Sequence, residues 1–189
     1  MLKRFSAWLR RVSTGWMALA ALVIFLAFTA LVLPGQASEA EANSGAAGTP
    51  DLSFYYSADD LYRWAEAYGE VGRAAYVRAR FTFDLAWPLV YTFFLVTAVS
   101  WVFSKAFAAD SPWQMANLAP VLGMLFDFLE NISTSLVMLR YPQGTPVLDS
   151  LAAVFTALKW VLIAASFVLL LAGGILAVWK KLVPPKIPR

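Results

Sequence analysis

The 189-residue chain contains no cysteine and no histidine. The first absence excludes disulfides, thiolate chemistry and cysteine–histidine zinc sites. The second removes the commonest general base. Charge is scarce too: 14% of the residues are Asp, Glu, Lys or Arg, against about 25% in an ordinary soluble domain. There is no Gly-rich phosphate loop and no nucleophile elbow. The basic residues sit beside apolar runs rather than on one basic face, which argues against nucleic acid as a partner. No cofactor and no metal is expected.

What is abundant is apolar. Hydrophobic residues make up 60% of the chain, and the mean hydropathy is +0.64. This excess lies in four blocks, and a helix needs roughly 20 mostly apolar residues to cross a bilayer. Gly15 to Leu33 meets that length without a charge. Leu85 to Phe103 meets it between Asp84 and Lys105. Leu118 to Leu139 contains Asp127, Glu130 and Asn131, and Leu151 to Val178 contains Lys159. The expectation is one all-α, polytopic membrane domain with four transmembrane helices, at 15–33, 85–105, 115–139 and 150–178. The short turns Lys105–Met115 and Arg140–Asp149 make the last three spans antiparallel neighbours.

Charge asymmetry orients the chain. Lys3, Arg4, Arg10, Arg11, Lys105, Lys180, Lys181, Lys186 and Arg189 fall on one side, against Asp110 alone. The other side carries nine acidic and five basic residues. Lys and Arg favour the cytoplasmic side of short loops. Both termini are therefore expected in the cytoplasm of a multi-pass cell-membrane protein, with 34–83 outside. Gly35-Gln36-Ala37 before Ser38 resembles a signal-peptide cleavage site, but the apolar core from Trp16 to Leu33 is long for one. A retained anchor is expected; cleavage would leave three spans.

The segments between the spans carry patterns of their own. Residues 1–14 place Leu2, Phe5, Leu9 and Val12 at helical spacing among basic residues, the pattern of an interfacial helix on an anionic leaflet or of a plain topology signal. Gln36 to Pro50, rich in Ala, Glu, Ser and Gly, reads as a flexible linker. Ser57 with Asp60 three residues later marks a helix start, followed by Leu61, Trp64, Ala65 and Tyr68 on one face. A second amphipathic stretch runs from Val71 to Arg80. One or two amphipathic helices are expected in the outer loop, anchored at the interface or closing over a cavity. Residues 179–189 form a basic tail.

Asp127, Glu130, Asn131 and Thr134 follow the spacing i, i+3, i+4, i+7, so one helix face carries all four. A carboxylate at the bilayer centre costs about 2.5–3.5 kcal/mol on the most lenient scale. That face must therefore turn inward. Glu130 precedes Arg140 by ten residues and Lys159 follows Asp149 by ten, so both lie roughly 15 Å deep at 1.5 Å per residue. Lys159 should meet Glu130, with Asp127 in reach. Arg80, Asp84, Tyr91 and Arg140 form a possible entrance. The bland reading is a structural ion pair, with Asn131 and Thr134 as interhelical hydrogen-bond partners. Gly173-Gly174 reads as a close helix contact.

The segments Tyr68-Gly69-Glu70-Val71-Gly72-Arg73, Phe83-Asp84-Leu85-Ala86-Trp87-Pro88 and Asp127-Phe128-Leu129-Glu130-Asn131 resemble a group of small bacterial four-helix membrane proteins. The resemblance covers most of Leu61 to Pro142 and implies a bacterial inner-membrane setting and no activity. Sterol-isomerase-like proteins share the broad layout of membrane carboxylates, but their motifs have no counterpart here. Three functions compete. The first is a module binding or translocating a small amphiphile, cation or proton, working as a homodimer. The second is an accessory subunit docking a membrane partner through its outer helices. The third is a lipid-active enzyme using a carboxylate.

Overall fold

The computed structural model describes residues 1–44, 47–50 and 53–183, and all its regular structure is helical among those residues. The helices are α1 (Leu2–Val12), α2 (Gly15–Leu31), α3 (Leu33–Ser44), α4 (Ala58–Ala67), α5 (Gly69–Arg80), α6 (Phe83–Ala106), α7 (Ala119–Arg140) and α8 (Leu148–Leu182). A 3-10 helix, Pro112–Leu118, links α6 to α7. Four helical stretches are long and apolar enough to cross a membrane: Gly15–Ser44, Gly69–Ala106, Pro112–Arg140 and Leu148–Leu182. The multi-pass expectation holds at that level.

The linker expectation does not hold throughout. Gln36 to Ser44 belong to α3, which continues from α2 through a slight break at Val32. Pro34 near its start and the alanines within it suit a helix. Packing fixes it as well: a Cβ on Gly72 of α5 would lie 2.7 Å from the carbonyl oxygen of Asn43. Residues 45, 46, 51 and 52 lie outside the described residues.

α2, α6, α7 and α8 form the bundle. Phe25 of α2 stacks on Phe94 and Trp87 of α6, and Ala21 is fully buried beside Tyr91 and Leu95. Gly173 lets α8 approach α6 so closely that a Cβ there would meet the Phe103 ring at 2.5 Å. Gly174 has nothing within 4 Å, so only the first glycine of the pair makes a contact.

The two ends of the bundle differ. At the basic end, α1 docks against the 3-10 helix, and Lys180 Nζ donates to the Ala106 carbonyl at the end of α6. At the opposite, capped end, Tyr56, Leu61, Ala65, Tyr68 and Tyr76 pack on Val137, Met138, Ala152 and Ala153 of α7 and α8. The cap starts where the sequence placed a helix start: Ser57 and Asp60 form a capping box. Full burial of Leu61 contributes about 1.5–3 kcal/mol to holding the cap down.

Candidate functional site

Position within each helix decides what meets at the bundle centre. Asp127, Glu130 and Asn131 sit mid-way along α7. Their exposures are 6%, 0% and 3%, and that of Lys159 on α8 is 5%. The Lys159 ammonium lies 2.5 Å from Glu130 Oε2 and 3.9 Å from Asp127 Oδ1. The i, i+3 pair on α7 therefore converges on one cation, as equal depth below a short turn requires.

α6 supplies the other wall through an interrupted hydrogen-bond ladder. Pro88 lies inside α6 and has no N–H, so the carbonyl four residues earlier loses its helical donor. That carbonyl belongs to Asp84, and Asn131 Nδ2 donates to it at 3.4 Å. The same amide donates to Asp127 Oδ1 at 3.4 Å. One turn below Pro88, the Tyr91 hydroxyl donates to Asp127 Oδ2 at 2.9 Å. Tyr91 was expected at an entrance; at 3% exposure it is a central partner of Asp127 instead. Asn131 Oδ1 and Ser135 Oγ, one turn apart on α7, are buried with no hydrogen-bond partner among the described residues.

Arg80 and Asp84 connect this cluster to the cap. Arg80 Nε lies 3.0 Å from Asp84 Oδ2, with both side chains largely buried, and its guanidinium covers the Tyr76 ring at 4.4 Å. Arg80 also lines a cavity of about 50 Å³ beneath the cap, with Glu39, Asn43, Tyr68 and Tyr76. A few water molecules fit a space of that size, although most of its lining is apolar. Contacts thus run from the cavity through Arg80, Asp84 and Asn131 to Asp127, Lys159 and Glu130.

Two expected members stand elsewhere. Arg140 is exposed at the end of α7, away from the cluster. Thr134 is fully buried but bonds back to the carbonyls of Glu130 and Asn131 in its own helix, at 2.9 and 3.4 Å. Among the described residues it gives no interhelical hydrogen bond of the kind its spacing suggested.

Sequence reasoning missed two groups. Thr156, one turn from Lys159 on α8, donates to the Tyr56 hydroxyl at 3.1 Å. The cap thereby reaches to within a turn of the buried lysine. The i−3 spacing of Thr156 from Lys159 was the available signal. At the basic end, Asn117 donates to the Ser6 carbonyl and to Ser100 Oγ, and accepts from Ser6 Oγ at 2.8 Å. Gln114 Nε2 donates to the carbonyls of Phe103, Phe107 and Ala108. Ser6 is 1% exposed, while Leu2, Phe5 and Trp8 on the same helix stay exposed. α1 is thus pinned by a polar latch and turns apolar side chains outward. Comparison of the chain with protein-family models, with curated proteins and with solved structures finds no match.

Proposed function

We propose that this chain is a multi-pass cell-membrane protein, with cytoplasmic termini, that binds a proton or small monovalent cation at Asp127, Glu130 and Lys159. The observation that carries this reading is the convergence of two buried carboxylates on one ammonium. These three side chains hold one more negative than positive charge. A low-dielectric interior disfavours an unbalanced charge, and a proton or monovalent cation restores the balance. The side chains contact one another and Tyr91, which favours a ligand of atomic size over an amphiphile. The buried Asn131 oxygen supplies a neutral acceptor next to the Asp127 carboxylate. Leaving such a group unsatisfied costs about 1–3 kcal/mol.

The positive-inside rule places the capped end outside, so the ligand enters through the cavity beside Arg80. Equilibrium proton uptake, read with an indicator dye, and sodium and potassium titrations of the solubilised protein test the reading. Asp127→Asn and Glu130→Gln are each expected to abolish the response while the protein stays folded. A response unchanged in both variants overturns it.

The accessory-subunit reading has one observation in its favour. Phe54, Tyr55 and Val71 at the capped end are strongly exposed, an apolar surface available to a membrane partner. Recovery of a defined partner in mild detergent, lost on Val71→Asp, is the result that would favour it.

A further inference from the structure

A second feature lies away from the charged cluster, on the bilayer-facing side of the bundle. α2, α6 and α8 enclose an open groove of about 730 Å³, lined almost wholly by apolar atoms. Ala18 and Leu22 of α2, Phe94, Ala98 and Trp101 of α6 and Leu170 of α8 form its walls. Small residues make the groove: Ala18 and Ala98 leave the space between the larger side chains. Gly15 lets the Trp101 indole lie against α2, where a Cβ would sit 3.0 Å from its Nε1. The groove occupies the basic half of the bundle, since Gly15 and Trp16 begin α2 and Trp101 is one turn from the end of α6.

Its mouth is basic. Lys105 follows Trp101 by four residues and so lies directly beneath it on the same face of α6. Lys105 is exposed. The Lys180 ammonium sits at the Ala106 carbonyl, one residue further along. Arg11, also exposed, lies in the last turn of α1 just before α2 starts. An apolar slot whose end lies toward these basic residues is complementary to one amphiphile class. The slot takes an acyl chain, and the cations take an anionic headgroup.

We infer that this groove holds one anionic phospholipid, drawn from the leaflet at the basic end, with an acyl chain along Ala18, Ala98 and Leu170 and its phosphate among Arg11, Lys105 and Lys180. The inference rests on membrane insertion, and not on what Asp127 and Glu130 bind.

Vesicles of phosphatidylcholine containing a small fraction of brominated phosphatidylglycerol test it, because acyl-chain bromine quenches indole fluorescence on contact. The Trp101 signal is taken as the difference between the wild type and Trp101→Phe. It should be quenched far beyond the mole fraction of the brominated lipid, and brominated phosphatidylcholine at the same fraction should not do this. Lys105→Gln is expected to weaken the preference about fivefold. Ala98→Trp, which fills the slot, should abolish the excess quenching of Trp101 while proton uptake persists. Quenching that tracks mole fraction equally for both lipids overturns the inference. So does a disulfide between Ala98→Cys chains of two copies, which would show a second protein in the groove.

Discussion

The cluster at Asp127, Glu130 and Lys159 and the cluster at Ser6, Ser100, Gln114 and Asn117 are both buried, yet they treat polarity in opposite ways. The second is neutral. Asn117 gives both amide hydrogens and receives the Ser6 hydroxyl, so donors and acceptors largely close on each other. Such a network fixes geometry and carries no formal charge, and Gln114 Oε1 within it is buried with no hydrogen-bond partner among the described residues. The first holds charges whose formal sum is not zero. One cluster pins α1 to the bundle, and the other gathers two carboxylates around one ammonium at the bundle centre.

Substitutions should separate the two. The largest effect is expected for Lys159→Met, which leaves two carboxylates facing each other. Breaking a buried pair costs about 3–5 kcal/mol, measurable by unfolding in mild detergent. Adding Glu130→Gln should recover part of that loss; a single variant as stable as the wild type would remove the ion pair from the account. Asn117→Leu strands hydrogen-bond partners on Ser6 and Ser100 and should cost about 1–3 kcal/mol. Amide exchange should then rise in α1 while proton uptake is unchanged. If uptake falls with it, the two clusters are not independent.

Asn131→Leu is expected to cost about 1 kcal/mol, partly because the Asp84 carbonyl loses its replacement donor. In a Pro88→Ala background the helix supplies its own N–H, so the same substitution should cost less. Additive effects would show that Asn131 is held by something other than the gap in α6. The smallest effect concerns the capping box of α4. The Ser57 hydroxyl and backbone N–H hold the Asp60 carboxyl below its ordinary value, with Arg63 adding to this. A carboxyl depressed in the fold contributes stability above its unfolded pKa and loses it as pH falls through the folded one. Amide protection of α4 should therefore be full at neutral pH and decline below about pH 4, and Ser57→Ala should flatten that dependence.

Access can be compared in the same way. The chain lacks cysteine, so single cysteines report cleanly. An impermeant maleimide added outside sealed vesicles should label Glu39→Cys beside the capped-end cavity and leave Lys105→Cys untouched. The reverse pattern would invert the orientation.

Much of the charged cluster was legible because ionisable residues in an apolar helix have few places to go. Spacing put Asp127 and Glu130 on one face, and equal distances from a short turn put Lys159 beside them. Pro88 and Asp84 were four residues apart in plain view, but only the neighbouring helix shows that Asn131 fills the gap. The neutral latch was illegible, since Ser6 and Asn117 are 111 residues apart and no periodicity marks an amide as buried. Tyr91 was misplaced because its helical spacing below Asp84 gives a depth but not a facing helix. α3 was misread for a related reason: Ala, Glu and Ser suit a linker and a helix alike, and contact with Gly72 decides between them.

Infrared difference spectroscopy of the reconstituted protein tests the central claim most directly, because the C=O stretch of a protonated carboxyl is resolved from that of a carboxylate. Acidifying the compartment at the capped end should bring up a carboxyl band that is missing from Asp127→Asn or Glu130→Gln, and sodium or potassium should shift it if a cation competes for the same place. A spectrum that ignores pH and both cations, or a band that persists in both variants, would contradict it.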